Sequence, residues 1–296
     1  MARTRLRGLE IGGIQIGIEV PDTWVWEWPE GGLTDFACLP REPEVHVGIR
    51  VGDVARGDLG GERYALGVWT FEVGRRGEDW ILGLSRAGHR ERLACFDAQF
   101  RTGEIVVSRE SARRTGYPLR GPLDEWIVLH RTVSRGGLCL TANAVSTRGR
   151  ADLRLGVVAS EGAARWTTPG STLFGANSLL LREVEGTLRV FRTPWGRAMA
   201  AGLGLQARVG EVFQSEPSDR PYRDWLDPDE AADLLVKHAV VPLCDDGLFE
   251  QVLRNARRIA DRVRILRVGE PALPSRVRVG VPPRLQTAFA SPLDPR

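Results

Sequence analysis

The chain has 296 residues, of which 42% are hydrophobic, and this suits two modest domains or one large domain with a sizeable core. The formal charge is +3, and of the 41 basic residues only Lys237 is a lysine. Arginines are interleaved with acids along the chain, which indicates an ion-paired, solvated surface and argues against a nucleic-acid partner. The first ten residues form no apolar signal core and no run is long enough to span a membrane, so we expect a cytoplasmic protein without membrane contact.

The cysteines are widely separated and form no CxxC pair. They are Cys38, Cys95, Cys139 and Cys244. Each lies in an apolar setting typical of small buried thiols, so the sequence predicts neither a zinc centre nor a disulfide framework. We therefore expect no bound metal.

The first hundred residues have the pattern of a β-rich domain. Apolar residues alternate with other types through residues 9–108, most clearly in the run Ile14, Ile16, Ile18 and Val20. Two hairpins are predicted, one turning near residues 75–78 and the other at Thr102 and Gly103. The breaker-rich residues 116–122 mark a boundary, so we assign residues 1–120 to a β-rich N-terminal domain.

Helices and short strands alternate after this boundary, which predicts an α/β domain over residues 121–269 and an α+β fold overall. A helix follows Pro122, and strands are predicted at residues 138–145, 151–158 and 178–192, the last with a hinge at Glu185 and Gly186. Asp227, with Pro228 after it, has the pattern of a helix start, and a further helix begins at Asp245 or Asp246. A short strand, RILRV, follows, and residues 270–296 form a proline-rich tail that we expect on the surface or disordered.

The runs LCLTANAV and STLFGANSLLLREVEGTLRVFRTPWG, followed by two helices and a strand, resemble the HPr kinase/phosphorylase-like proteins. Those proteins have the PEP-carboxykinase-type P-loop fold. Members found in peptide-modification clusters, such as the kinases that phosphorylate lasso-peptide precursors, also carry a β-rich leading domain. The resemblance extends from about Leu6 to Val268, and it includes a family turn at Arg192, Thr193, Pro194 and Trp195.

The resemblance implies a nucleotide pocket that has degenerated. The positions that match it are Thr141, Asn143, Gly156, Ser160, Glu161, Gly162 and Asn177. Thr141 stands where the family has a histidine, and the phosphate loop has no lysine and carries Glu161 where phosphate would bind. Asn177 stands at or beside the place of an aspartate that serves the metal.

Phosphoryl transfer depends on positioning and charge neutralisation, and losing one electrostatic donor costs roughly 10²- to 10³-fold in rate. The combined losses therefore predict a pseudoenzyme without catalytic residues or cofactor, which binds a protein or peptide as a scaffold or regulatory subunit. A homo-oligomer is a further option for its partner. The alternative is an atypical phosphotransferase, acting on a peptide or small molecule, that binds ATP and Mg²⁺ in a rebuilt site. Arg154 or Arg165 would supply its cation, and Glu161 or Asp152 its metal ligand or base.

The run TWVWEWPE places Trp24, Trp26 and Trp28 on one face if it is extended. Such a face suits a carbohydrate, a nucleobase or a peptide, and a carbohydrate or nucleic-acid binder is the third functional alternative. The other interpretation is a packed inner surface of a sheet or of a domain joint. Asp245 and Asp246 likewise have two interpretations, a metal site or, more simply, the start of the apolar helix that follows them.

Overall fold

The computed structural model describes residues 3–28, 32–55, 57–114, 116–119, 121–156, 169–196, 204–241 and 245–270. These residues form two mixed sheets with helices, so the predicted α+β fold class is confirmed. They divide after Arg131 into two compact units. Among the described helices, none has the length and apolar character needed to cross a membrane.

The described part of the first unit contains one nine-stranded sheet. Its strands are β1 (Thr4–Ile11), β2 (Ile14–Pro21), β3 (Ala37–Cys38), β4 (Val45–Gly52), β5 (Glu62–Leu66), β6 (Trp69–Arg76), β7 (Asp79–Arg86), β8 (His89–Phe96) and β9 (Thr102–Ser108). They lie in the order β3-β1-β2-β4-β9-β8-β7-β6-β5. The pairs β2–β4 and β4–β9 are parallel and the other pairs are antiparallel. A short 3₁₀ helix, Leu33–Phe36, precedes β3.

The alternating pattern forms strands because one face of each strand is buried. Ile14, Ile16 and Ile18 are all fully buried on β2, and the hairpin predicted near residues 75–78 is the β6–β7 hairpin. The turn predicted at Thr102 is wrong in position, since β9 begins there and the turn lies at residues 97–101. The carboxylate of Asp97 stabilises this turn by accepting hydrogen bonds from the backbone N–H groups of Gln99, Arg101 and Thr102 at 2.9–3.0 Å.

Burial of the thiols also differs from the sequence expectation. Cys139 is buried, Cys38 is half-buried and Cys95 is exposed, while Cys244 lies outside the described residues. Cys95 faces outward because its neighbours on β8, Ala94 and Phe96, occupy the buried positions of that strand.

Two helices follow the first sheet, α1 (Arg109–Arg114) and α2 (Leu123–Ser134). Trp126 of α2 is fully buried, and its ring centroid lies 5.4 Å from that of Phe71 and 6.4 Å from that of Trp80. The His130 ring lies 4.2 Å from Phe100. This aromatic face explains why the first unit includes α2 as far as Arg131, whereas the sequence pattern assigns the whole helix to the second domain.

The described part of the second unit also contains a nine-stranded sheet. Its strands are β10 (Leu138–Leu140), β11 (Ala142–Thr147), β12 (Arg150–Leu155), β13 (Thr172–Ala176), β14 (Leu179–Val184), β15 (Thr187–Arg192), β16 (Gln206–Pro217), β17 (Tyr222–Trp225) and β18 (Ile265–Glu270). The order is β10-β14-β15-β16-β12-β11-β13, and β18 pairs with both β16 and β17. The sequence pattern predicts the β14–β15 hairpin, but it does not predict β13, β16 or β17.

The second unit has two helices among its described residues in addition to the end of α2, namely α3 (Pro228–His238) and α4 (Asp246–Ala260). Both helix starts are as predicted. Asp227 caps α3 in a reciprocal capping box with Glu230, and the Asp245 carboxylate accepts the N–H of Leu248 at 3.1 Å. Asp245 therefore has the structural role that the sequence also allowed.

Candidate functional site

The edge of the second sheet where the resemblance predicts a nucleotide is built by parallel strands. β12, β16 and β18 run in parallel, so their carboxyl ends point to the same edge. Gly156 directly follows β12, Glu270 ends β18, and Thr141 precedes β11, which is antiparallel to β12. Ligands of open α/β sheets bind beyond such carboxyl ends. This edge is therefore the candidate site.

Asn143 and Asn177, both predicted pocket residues, are brought together here. Asn143 is fully buried, and its Oδ1 accepts the backbone N–H of Asn177 at 3.2 Å. Asn177 has φ 74°, a left-handed conformation that asparagine tolerates better than most residues. The Asn143 Nδ2 is buried and has no hydrogen-bond partner within the described ranges. One end of this side chain thus holds the turn before β14, and the other end is an unused donor.

Thr141 and Gly156 are also adjacent, through their backbones. The Gly156 N–H donates to the Thr141 carbonyl at 2.8 Å, and the Thr141 N–H donates to the carbonyl of His238 at 2.8 Å. A Cβ added at Gly156, which has φ 92°, would lie 3.4 Å from His238 Cε1. An imidazole therefore lies close to this edge, but it comes from α3, and the sequence pattern does not predict its place there. Burial, followed by the charge of Lys237, lowers the pKa of His238 and favours its neutral form.

The turn that matches the family at residues 192–195 is used for structure. Thr193 Oγ1 donates to the carbonyl of Ser178 at 2.8 Å, and Trp195 Nε1 donates to Ser178 Oγ at 2.9 Å. The Gly196 N–H donates to Thr193 Oγ1 at 3.2 Å. These bonds join the turn after β15 to the turn before β14. Their polar groups are therefore already paired within the protein.

A cleft of about 310 Å³ lies on the same face of the sheet as Asn143. Its charged lining residues are Asp152, Glu211, Arg223 and Glu270. Arg223 pairs with Glu211 at 2.6 Å, and Arg154 pairs with Glu270 at 3.3 Å. The side chain of Arg154 is only 15% exposed, and burial lowers its pKa while Glu270 raises it. A guanidinium remains protonated under such opposing effects.

Asp152, the alternative metal ligand or base, supports an irregularity in the sheet. The register between β12 and β16 shifts between Ala151 and Leu153, where β16 carries an extra residue. The Asp152 Oδ1 accepts the N–H of Glu211 at 2.8 Å, beside Gly210. A Cβ at Gly210 would lie 2.1 Å from that oxygen. The carboxylate thus accepts a hydrogen bond from a backbone N–H that the bulge prevents from bonding to the neighbouring strand.

The described residues do not fit a nucleotide triphosphate. Arg223 of the cleft pairs with Glu211, Arg154 pairs with Glu270 of the cleft lining, and Asp152 adds a further negative charge. The predicted residues Ser160, Glu161, Gly162 and Arg165 lie outside the described residues, so their contribution to the pocket stays a prediction. The described ranges contain no group of three or more His, Cys, Asp or Glu side chains arranged for a metal. The expectation of no metal or nucleotide cofactor stays a prediction too.

The three tryptophans of the amino-terminal run lie in the first unit around Tyr117. Trp24 is buried, and its Nε1 donates to the carbonyl of Gly116 at 2.8 Å, so it is a core side chain and not part of an exposed surface. Trp26 and Trp28 are half-buried, with ring centroids 5.0 Å apart and 5.9–6.0 Å from Tyr117. The packed interpretation therefore describes Trp24 best.

The sequence pattern does not predict Glu211, Arg223 or Glu270 as cleft residues. They come from β16, β17 and β18, which meet only through long-range pairing. No spacing or motif in the sequence marks them. Comparison with models of known protein families finds no match, and comparison with curated protein sequences finds none either.

Proposed function

We propose that this chain is a catalytically inactive HPr-kinase-like protein that works by binding a protein or peptide partner. The observation that carries the proposal is the charge of the 310 Å³ cleft on the Asn143 face of the sheet, where the described lining includes three acids, Asp152, Glu211 and Glu270. Phosphoryl transfer requires cations that stabilise the transferred group. Among the described residues, Arg223 lines this cleft and Arg154 pairs with Glu270 of its lining, so both guanidiniums are held by the protein's own carboxylates.

The energetic argument concerns Arg154. A phosphate bound by this guanidinium would either displace Glu270 or share the guanidinium with it, and in both cases the carboxylate would remain beside the incoming anion. Breaking a partly buried pair leaves an uncompensated charge, which opposes the gain from the new contact. Exchange of one anion for another at a half-buried guanidinium therefore provides little binding energy.

The hydrogen bonds of the surrounding turns also support a binding function. Asn143, Ser178 and Thr193 use side-chain or backbone groups to hold the turns at this edge. Such bonds maintain the shape of a surface. A shaped surface with few free reactive groups suits recognition of a macromolecule better than group transfer.

The nucleotide part of the proposal is tested by thermal unfolding with Mg-ATP. A ligand at about 100 times its Kd stabilises the folded state by about 2.7 kcal/mol, a shift of roughly 5–10 °C in Tm for a chain of this size. We expect no shift at about 1 mM Mg-ATP, which corresponds to that excess for a Kd near 10 µM. A shift that the Arg154→Gln variant abolishes, accompanied by transfer of labelled phosphate, would establish the phosphotransferase alternative instead.

The partner part is tested by native mass spectrometry of the protein isolated from the cells that make it. We expect a complex whose mass contains at least one other polypeptide. Glu270→Gln is a useful comparison because it removes the carboxylate that pairs with Arg154 and does not alter the hydrogen bonds of the turns. A protein that carries only nucleotide, and no polypeptide, would contradict the proposal.

A further inference from the structure

A second and larger groove lies on the second unit, near the amino end of β12. Its volume is about 1000 Å³. Its described lining residues include one acid, Glu211, and six arginines. The arginines are Arg148, Arg150, Arg189, Arg208, Arg262 and Arg264. We call this surface the arginine groove. Its excess of positive charge contrasts with the nearly balanced charge of the whole chain.

Three of these arginines form a row across neighbouring strands. Arg208 of β16 lies directly opposite Arg150 of β12 and directly opposite Arg189 of β15. Directly opposed residues in a sheet share a face, and strands are about 4.8 Å apart, so the row spans about 10 Å. Like charges placed in this way destabilise a sheet. The row is therefore an arrangement that folding alone does not favour.

Among the described residues, few carboxylates pair with the arginines of the groove. Arg262 pairs with Glu183 at 2.6 Å, but the other five arginines have no carboxylate within 4.0 Å among the described residues. Glu211 is itself paired with Arg223. The Nε of Arg189 is buried without a hydrogen-bond partner in the described ranges. Within the described residues, the groove therefore carries uncompensated positive charge.

We propose that the arginine groove binds an acidic peptide segment of the protein partner. This inference rests on the proposed function, because it names the chemistry of that partner. Guanidinium groups bind carboxylates through two parallel hydrogen bonds, and a row of them suits successive acidic side chains. Leu188, Val209 and Val263 give the groove an apolar part, which accommodates the aliphatic stems of a peptide.

A peptide fits the groove better than a nucleic acid does. Single-stranded nucleic acids bind grooves in which several aromatic side chains stack successive bases. Trp225 is the one aromatic residue among the described lining residues; it is 53% exposed, and the Arg264 guanidinium lies 5.4 Å from its ring centroid. A single, partly covered ring provides an anchor for one side chain and no stacking platform.

The test is fluorescence anisotropy with the full chain and a labelled peptide rich in glutamate and aspartate. Two probes serve as comparisons, a peptide with glutamine and asparagine in place of the acids and a single-stranded oligonucleotide of the same net charge. Arg208→Gln removes the centre of the row. Arg254→Gln is the matched control, because Arg254 is an exposed arginine of α4 that is not among the described groove residues and forms a surface pair with Glu250 at 3.5 Å.

We expect the acidic peptide to bind, and Arg208→Gln to weaken that binding by about tenfold, while Arg254→Gln leaves it unchanged. Arg208→Gln should also unfold at a higher urea concentration than the parent protein, since it relieves repulsion in the row. That result shows that weaker binding does not come from misfolding.

Three outcomes would overturn the inference. They are equal binding of the uncharged peptide, equal weakening by the two variants, and tighter binding of the oligonucleotide. If the acidic peptide fails while a polypeptide partner is present in the native complex, the proposed function stands and only its partner chemistry is wrong. Nucleotide binding with phosphate transfer would instead refute the proposed function, whatever the peptide does.

Discussion

Asp124 and His130 of α2 are both buried in the first unit, and burial shifts their pKa values in opposite directions. Asp124 is 7% exposed and accepts the hydroxyl of Tyr117 at 3.1 Å; burial raises its pKa to about 6. His130 is 4% exposed among aromatic rings; burial, and then the charge of Arg75, lower its pKa to about 3. Each group prefers its neutral form in the folded state.

The two shifts have opposite consequences for the free energy of unfolding. Asp124 has an unfolded pKa of 3.8, so its stabilising contribution is present below that pH and is lost as the pH rises through about 6. His130 has an unfolded pKa of 6.5, so its contribution is present above that pH and is lost progressively as the pH falls toward about 3. As the pH falls from about 7.5 to about 4.5, protonation of Asp124 raises the free energy of unfolding by about 2 kcal/mol. Over the same range, His130 lowers the free energy of unfolding by about 2.7 kcal/mol. Their combined effect is below about 1 kcal/mol.

When either residue is substituted, the pH dependence that the other gives to the free energy of unfolding should no longer be offset. As the pH falls over this range, we expect the free energy of unfolding of Asp124→Asn to fall by about 2 kcal/mol relative to that of the parent protein. We expect that of His130→Leu to rise by about 2.7 kcal/mol relative to the parent protein. Urea unfolding followed by tryptophan fluorescence measures both. Other titrating groups are shared by all three proteins, so they cancel in the differences. If the stability curves of Asp124→Asn and the parent protein run parallel between these pH values, the argument about Asp124 is refuted.

Three further substitutions test individual contacts by urea unfolding. Asn255→Ala should lower the free energy of unfolding by about 2–3 kcal/mol, since Nδ2 donates to buried carbonyls of Val133 and Gly137 at 2.8 and 3.0 Å. An effect below about 0.5 kcal/mol would contradict this. Asn177→Ala should lower the free energy of unfolding by about 1 kcal/mol and Asn177→Gly by much less, because glycine tolerates the positive φ at this position. Equal losses in the two variants would show that backbone strain does not explain them. Asp227→Ala should cost about 1 kcal/mol through loss of the α3 cap, and an unchanged midpoint would show that the cap contributes nothing.

The features that could be predicted from the sequence depend on residues close together in the chain. The alternation at Ile14, Ile16 and Ile18 predicts a strand, and Asp227 with Glu230 predicts a helix start, because each signal is complete within one turn or a few residues. The resemblance named Asn143 and Asn177 as two positions of one pocket, but only the structure shows that they are hydrogen-bonded to each other. The fold class followed from the succession of such local signals.

Other features depend on pairing between distant strands, which local patterns do not encode. β16 has only weak alternation, yet its position in the sheet brings Arg208 opposite Arg150 and Arg189 and brings Glu211 to the cleft. Arginines that look like ordinary surface charges in the sequence thereby become an unneutralised row. The sequence by itself determined the longer helices and those strands that have a clear local pattern, while the tertiary structure added β13, β16 and β17 and decided which charges meet. The physical reason is that electrostatic interactions depend on distance in space, and strand register sets that distance.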